Sequence, residues 1–441
     1  MRGKIKKVKR YLLIISLAGI TISSTMLTIF INLNSGSWKY QYNSNPDISM
    51  TSCAISDNAD YIAVGRDENL LLFKSSDSTP IWTYQMNDEI FSIDISADGK
   101  YIVVGTDNKT FSLFESSNPN PLWDYYTGLS ISNLAISSDG NYILISLPGV
   151  LFLFSKIDNV PLWNYSIVGS NFDISYDANL IVSAYDNVIL VFRNLNSTPN
   201  WQYNATSTIK KIVVSSNGEF FSSSDEDGRI YFFNKTGNAP FKYYDIEWDD
   251  PYSNNSFITS LSISENGDYL VAGTTEGTHL YEKSSHTELW NYPFGSKAAI
   301  SNNGQRIIVG GSEYDTESNF EYLWCFNKEN NNPIWQIKIE SSIKSLEYAS
   351  DADYTAVLTN FFLFLFNSRD PSIDELYKYK MIGSFILLGV FLGIGGIYGV
   401  SSLIVIVRKD LQTSKKEKEM LKITDKLDEK YTEWKEKEKK D

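Results

Sequence analysis

An all-β fold, an eight-bladed β-propeller, is what this 441-residue sequence predicts, and three observations predict it. An apolar strand ending in Ile-Ser recurs about every forty residues, an apolar-aromatic step follows in each copy, and a second aromatic comes nine residues later in six copies. Four short strands per copy at that period mark a radial array, because no single copy buries its own faces.

The first strands end at Ile55-Ser56, Ile95-Ser96, Ile136-Ser137, Ile174-Ser175, Val214-Ser215, Ile263-Ser264 and Ile300-Ser301, with Tyr348-Ala349 as a degenerate eighth. Asp-Gly, Asn-Gly or a close variant follows, the turn chemistry that joins two antiparallel strands. The nine-residue step pairs Phe73 with Trp82, Phe114 with Trp123, Phe154 with Trp163, Phe192 with Trp201, Tyr281 with Trp290 and Phe326 with Trp335. These indoles, with Trp38, read as blade-docking residues, since packing demands the same side chain at every blade. A fully buried Trp removes roughly 150 to 250 Å² from water, about 4 to 6 kcal/mol before entropy is subtracted.

Trp38-Lys39-Tyr40 is an aromatic-x-Tyr step with no strands before it, and the eighth copy has three strands before it runs on. The strand around Trp38 is therefore expected to complete the last blade and leave no free sheet edge. Tyr377-Lys378-Tyr379 repeats the step and is the competing candidate.

Two hydrophobic spans flank the repeats. Residues 11–32 carry no charge and reach roughly 33 Å as a helix, enough to cross a bilayer. Six basic residues precede them within the first ten, and Arg408-Lys409 follow a second span at 381–407, so both termini are expected in the cytoplasm. The organisation read from the sequence is a basic cytoplasmic N-terminus (1–10), a transmembrane helix (11–32), an extracellular propeller (37–370), a second transmembrane helix (381–407) and a short charged amphipathic cytoplasmic helix (408–441). The long uncharged stretch without an Ala-x-Ala site favours an uncleaved anchor over a signal peptide. Gly389, Gly393, Gly395 and Gly399 in the second span suit close helix packing, within the chain or in a dimer. In the tail, Met420, Ile423, Leu427, Tyr431 and Trp434 recur at three or four residues, a stripe suited to a cytoplasmic partner or to self-association.

Antiparallel alternation assigns the loops to faces. The Ser-x-Asp-Gly turns and the Phe-to-Trp loops lie on one face, together with both chain ends. The two long insertions lie on the other face, on adjacent blades. One carries Glu247, Trp248, Asp249, Asp250 and Tyr252, and the other Glu313, Tyr314, Asp315 and Phe320. Aromatics and carboxylates on exposed loops make a candidate partner-binding lip.

Charge narrows the partners. The six cations before residue 11 and the excess of two cations beyond residue 407 leave −22 for the rest, against −14 for the whole chain. So acidic a segment disfavours nucleic acid and favours an extracellular protein, glycan or cation-bearing ligand, with membrane lipid met through the two spans. Six Asn-x-Ser/Thr sequons, at Asn108, Asn164, Asn196, Asn204, Asn234 and Asn254, are compatible with an extracellular domain. Cys53 and Cys325 replace apolar repeat positions and read as buried thiols rather than a disulfide. The two histidines, His279 and His286, have no second ligand at metal spacing, and no nucleophile motif stands nearby; no catalytic residue, metal ligand or cofactor is assigned. Asp225-Glu226-Asp227-Gly228 reads as a turn rather than a calcium loop, because the downstream bidentate Glu is missing.

The Ile-Ser-x-Asp-Gly-x-Tyr and apolar-Phe-loop-Trp-x-Tyr steps together resemble the repeats of quinoprotein-like (PQQ-like) and of WD-repeat or YVTN-type propellers. In the quinoprotein group one Trp per blade docks neighbouring blades, and Trp82, Trp123, Trp163, Trp201, Trp290 and Trp335 match it. Pro80, Pro121 and Pro161 stand where that group has Thr-Gly, and its adjacent Cys pair is missing. The resemblance implies a membrane-bound quinoprotein-like oxidoreductase as one alternative; an envelope assembly scaffold is a further one. The favoured expectation is a non-catalytic binding module on the cell surface.

Overall fold

The computed structural model describes residues 38–41, 50–167, 171–193, 196–246, 257–312, 321–339, 341–349, 354–360 and 362–367. Residues Ser35–Pro371 form one compact unit, and the segments before and after it form a second whose residues all lie outside the described set. The spans expected at 11–32 and 381–407 and the tail helix fall in that second unit. Among the described residues no helix is long and apolar enough to cross a membrane.

Among the described residues thirty-two strands build eight four-stranded antiparallel sheets. Seven blades use four consecutive strands; blade two, for example, is Ile90–Ile95, Tyr101–Thr106, Thr110–Glu115 and Asn118–Tyr126, in that order from the axis outwards. The eighth consists of Ile343–Ala349, Tyr354–Thr359 and Phe362–Asn367, closed on its outer edge by Trp38–Gln41. Trp38 lies opposite Leu365 and Gln41 opposite Phe362. The strand near Trp38 thus completes the last blade, and Tyr377 lies outside the described residues.

Strand patterning follows from position in the blade. Second and third strands are covered on both faces by neighbouring blades and read as continuous apolar runs, such as Leu70, Leu71, Leu72 and Phe73, none more than 3% exposed. Fourth strands are the outer rim and alternate, as in Trp82–Gln85, because only one face meets a neighbour. Most rim indoles are consequently half-buried, and of the six repeat Trp only Trp290 (8%) and Trp335 (9%) are buried. The fully buried estimate therefore overstates the rest, whose outer edge faces solvent.

The core is eight clusters, each shared by adjacent blades. Ile62, Val64, Leu71 and Phe73 of blade one pack with Ala356, Leu358, Leu363 and Leu365 of blade eight, so the closing seam is as apolar as the other junctions. Near the axis the blades converge. A Cβ on Gly273 of blade six would stand 2.5 Å from the carbonyl oxygen of Ser296, leading into blade seven, so only glycine fits there.

The Ile-Ser-x-Asp-Gly motif has a local cause. Ser96 Oγ donates to Asp98 and accepts from Tyr101 N, while Asp98 Oδ1 accepts from Lys100 N. Gly99 then takes φ +70°, and the same turn recurs at Gly140, Gly218, Gly267 and Gly304. Ser56, Ser96, Ser137, Ser175, Ser215, Ser264 and Ser301 are all fully buried, each hydroxyl satisfied within its own turn.

Candidate functional site at the ring axis

The residue two before each first-strand Ser, or before Ala349 in blade eight, holds one repeat position on the side of the next blade. In order from blade one these are Ala54, Asp94, Ala135, Asp173, Val213, Ser262, Ala299 and Glu347. Even-numbered blades carry a polar side chain and odd-numbered blades an apolar one. The innermost strand of each blade has a free backbone edge, and the polar residues serve it. Asp94 accepts from its neighbour Ile95 N at 2.8 Å and from Ile136 N of blade three at 2.8 Å. Asp173 does the same with Ile174 N at 2.8 Å and Val214 N of blade five at 2.7 Å. Ser262 Oγ accepts from Ile300 N of blade seven at 3.2 Å.

Glu347 breaks the series at the seam between blades eight and one. Its carboxylate accepts from Ser345 Oγ of its own strand at 2.7 Å instead of reaching across. Asp94, Asp173 and Glu347, with Asp57, Ser138 and Tyr348, line a cavity of about 230 Å³. The lining comes from the ends of first strands and the turns after them, so the cavity opens on the turn face.

Confinement among strand backbones raises all three carboxyls. Burial lifts Asp94 to about 7 against the pull of its backbone donors, and the charges of Glu347 and Asp173 add to the rise. Burial lifts Asp173 to about 6, again opposed by its two backbone donors, and lifts Glu347 to about 7, opposed only by Ser345. Cys53, buried and unbonded to Cys325, is pushed up by burial and then by Glu347. The arrangement is a polar well whose acids take up or release protons near neutrality while two of them tie blades together. Among the described residues no group of three or more His, Cys, Asp or Glu is placed to hold a metal ion. His279 Nδ1 lies 2.9 Å from Glu288 Oε2 across adjacent strands of blade six, away from the axis.

The residues singled out from the sequence fall elsewhere. Glu247, Trp248, Asp249, Asp250 and Tyr252, and Glu313, Tyr314, Asp315 and Phe320, lie outside the described residues. The flanking strands define their connections. One joins Lys242–Asp245 to Ile258–Ile263, outer strand of blade five to inner strand of blade six, and the other joins the second and third strands of blade seven. Both connection classes lie on the face opposite the turns.

The indoles carry a repeated interblade contact. Trp82 Nε1 donates to Ser116 O at 2.9 Å, Trp123 to Lys156 O at 3.0 Å, Trp201 to Lys235 O at 3.2 Å and Trp290 to Lys328 O at 3.0 Å, each carbonyl belonging to the next blade. Trp335 Nε1 has no acceptor among the described residues, and its counterpart loop after Asn367 is not among them. Asp225 forms a turn: it is 1% exposed, Oδ1 accepts from Arg229 N, and Oδ2 accepts from Tyr231 and Thr206.

Sequence reading missed the axial acids. The signal was a charged residue at one repeat position inside a strand whose counterparts are Ala, Val or Ser.

Comparison with known proteins agrees with the architecture. Residues 78–115 match the family "WD domain, G-beta repeat". The matched stretch spans the outer strand of blade one and the three inner strands of blade two, the same offset by which Trp38–Gln41 closes the ring. The match is one blade long and supports a propeller of the WD-repeat kind. Among solved structures the chain is similar to "KlHsv2 with loop 6CD replaced by a Gly-Ser linker", with TM-score 0.53 and 11% identity, over 66% of this chain and 99% of that one. At that identity the likeness is one of fold. No curated protein matches the chain.

Proposed function

We propose that this chain is a membrane-tethered propeller on the cell surface that works as a non-catalytic interaction module for an extracellular protein or glycan. Propellers of the WD-repeat kind commonly serve as non-catalytic interaction modules. The observation that carries the reading is the closure of blade eight. Trp38–Gln41 and Phe362–Asn367 pair side by side, so both routes out of the ring leave from one blade and one face. Hydrophobic segments follow in sequence on both routes, and the strands that flank the two long insertions, Lys242–Asp245 with Ile258–Ile263 and Arg306–Gly311 with Glu321–Asn327, are joined across the opposite face.

The test is affinity capture from an envelope extract with the full chain and with a variant in which 247–256 and 313–320 are replaced by short Gly-Ser links. The shortened chain should keep its cooperative unfolding transition and lose the captured partner. Equal capture by both chains rejects the lip as the binding surface. Release of the full chain from membranes by alkaline wash rejects the tether.

A further inference from the structure

Blade three holds the two most exposed aliphatic side chains among the described residues, Ile157 at 81% and Val160 at 62%. They stand on the loop between its third strand, Gly149–Ser155, and its fourth, Pro161–Ile167, with Leu162 (49%) beside them and Leu122 (45%) at the matching place on blade two. The loop is fastened. Ile157 N donates to Ser155 Oγ, Val160 N to Asp158 Oδ1, Lys156 N to Asn141 O, and Asn159 Nδ2 to Asp124 O of blade two. A loop held by four hydrogen bonds that still turns Ile and Val to water presents those side chains rather than failing to bury them.

Its face identifies the occupant. Loops from third to fourth strand lie on the same face as the exit from blade eight, where the strand Phe362–Asn367 ends and Trp38–Gln41 begins. Only five residues separate Trp38 from the apolar segment 11–32, and thirteen separate Asn367 from 381–407. A chain anchored through those segments holds this face close to a bilayer. The loop of blade three lies three blades around the ring from that exit. Elsewhere on the rim the same level carries Ile81, Phe241, Leu289 and Ile334, while the next outward residues along those strands are largely polar or charged, as at Thr83, Asn291 and Gln336.

We infer that the loop 156–160 is a second membrane contact, in which Ile157 and Val160 enter the interfacial layer of the bilayer and Lys156 stays at headgroup level. The contact rests on the tether proposed above. Two exposed aliphatics bind lipid weakly by themselves, but a tether on the same face makes the encounter intramolecular and raises their effective concentration. One attachment at blade eight lets the disc pivot; a second at blade three lays it flat and turns the opposite face outwards.

The test is site-directed spin labelling of the full chain in phosphatidylcholine nanodiscs, with labels at Ile157→Cys, Val160→Cys and, on the opposite face, Asn87→Cys. Cys53 and Cys325 are buried and do not compete for the label. Labels at 157 and 160 should relax faster with oxygen than with a water-soluble nickel complex, by several-fold relative to the label at 87, and Val160→Asp should abolish the difference at 157. If all three labels show the same aqueous accessibility while the chain stays with the nanodisc, the second contact is overturned and the tether stands. If the chain does not stay with the nanodisc, both fall.

Discussion

Asp94 and Asp173 each hold the backbone of the next blade through a carboxylate that the surrounding strands disfavour as an anion. The consequence for stability runs opposite to ordinary acid denaturation. Carboxyls whose pKa is raised in the folded state, to about 7 for Asp94 and Glu347 and about 6 for Asp173, bind protons more tightly folded than unfolded. Their contribution is complete below the unfolded value of about 4 and is lost as pH rises through 6 to 7. The thermal midpoint of the ring should fall between pH 5 and pH 8, and Asp94→Asn should flatten part of that slope in scanning calorimetry. A midpoint that rises across this window would show that the axial acids do not govern the pH response.

At the scale of elements, the closure of blade eight joins the two ends of the propeller chain. The strand Phe362–Asn367 has its outer partner only in Trp38–Gln41, contributed from the other end of the domain. Placing prolines at Lys39 and Tyr40 removes the one ladder donor that this adjacent pair of edge residues supplies, at about 1 kcal/mol, and distorts the strand so that a sheet edge is exposed. Amide exchange should accelerate first in blade eight, with blades three to five protected longest. Uniform acceleration across all blades would mean that closure is not the weak joint. This joint was legible in advance: an aromatic-x-Tyr step without strands before it and three strands without a fourth have one economical solution. The sequence favoured Trp38 over Tyr377, which carries the same step, and the pairing of Trp38 opposite Leu365 bears that choice out.

For the molecule as a whole, the excess of negative charge works against compaction. The propeller and its flanks hold −22 of formal charge, and surface ion pairs such as Lys210–Glu226 are largely exposed and offset little of it. Raising ionic strength from about 0.01 to about 1 M shortens the screening length from roughly 30 to roughly 3 Å, and the thermal midpoint should climb over that range at fixed pH. A midpoint lowered by sodium chloride would instead mark the surface ion pairs as net stabilising.

The chain's own order of residues determined the number of blades, the strand sequence within each and the face to which each class of connection between described strands belongs. It does so because a period of about forty with fixed turn chemistry and alternating strand direction admits one radial arrangement. What only the tertiary structure decided is which repeated side chains meet. The axial carboxyls lie some forty residues or more apart in sequence and become neighbours through the closing of the ring, and the same closing lifts their proton affinity. Likewise Ile157 and Val160 look like ordinary loop residues until the fold fixes their face and leaves them the most exposed of the large aliphatic side chains among the described residues. Periodicity is local and survives in a list of residues; desolvation and proximity are properties of the assembled ring.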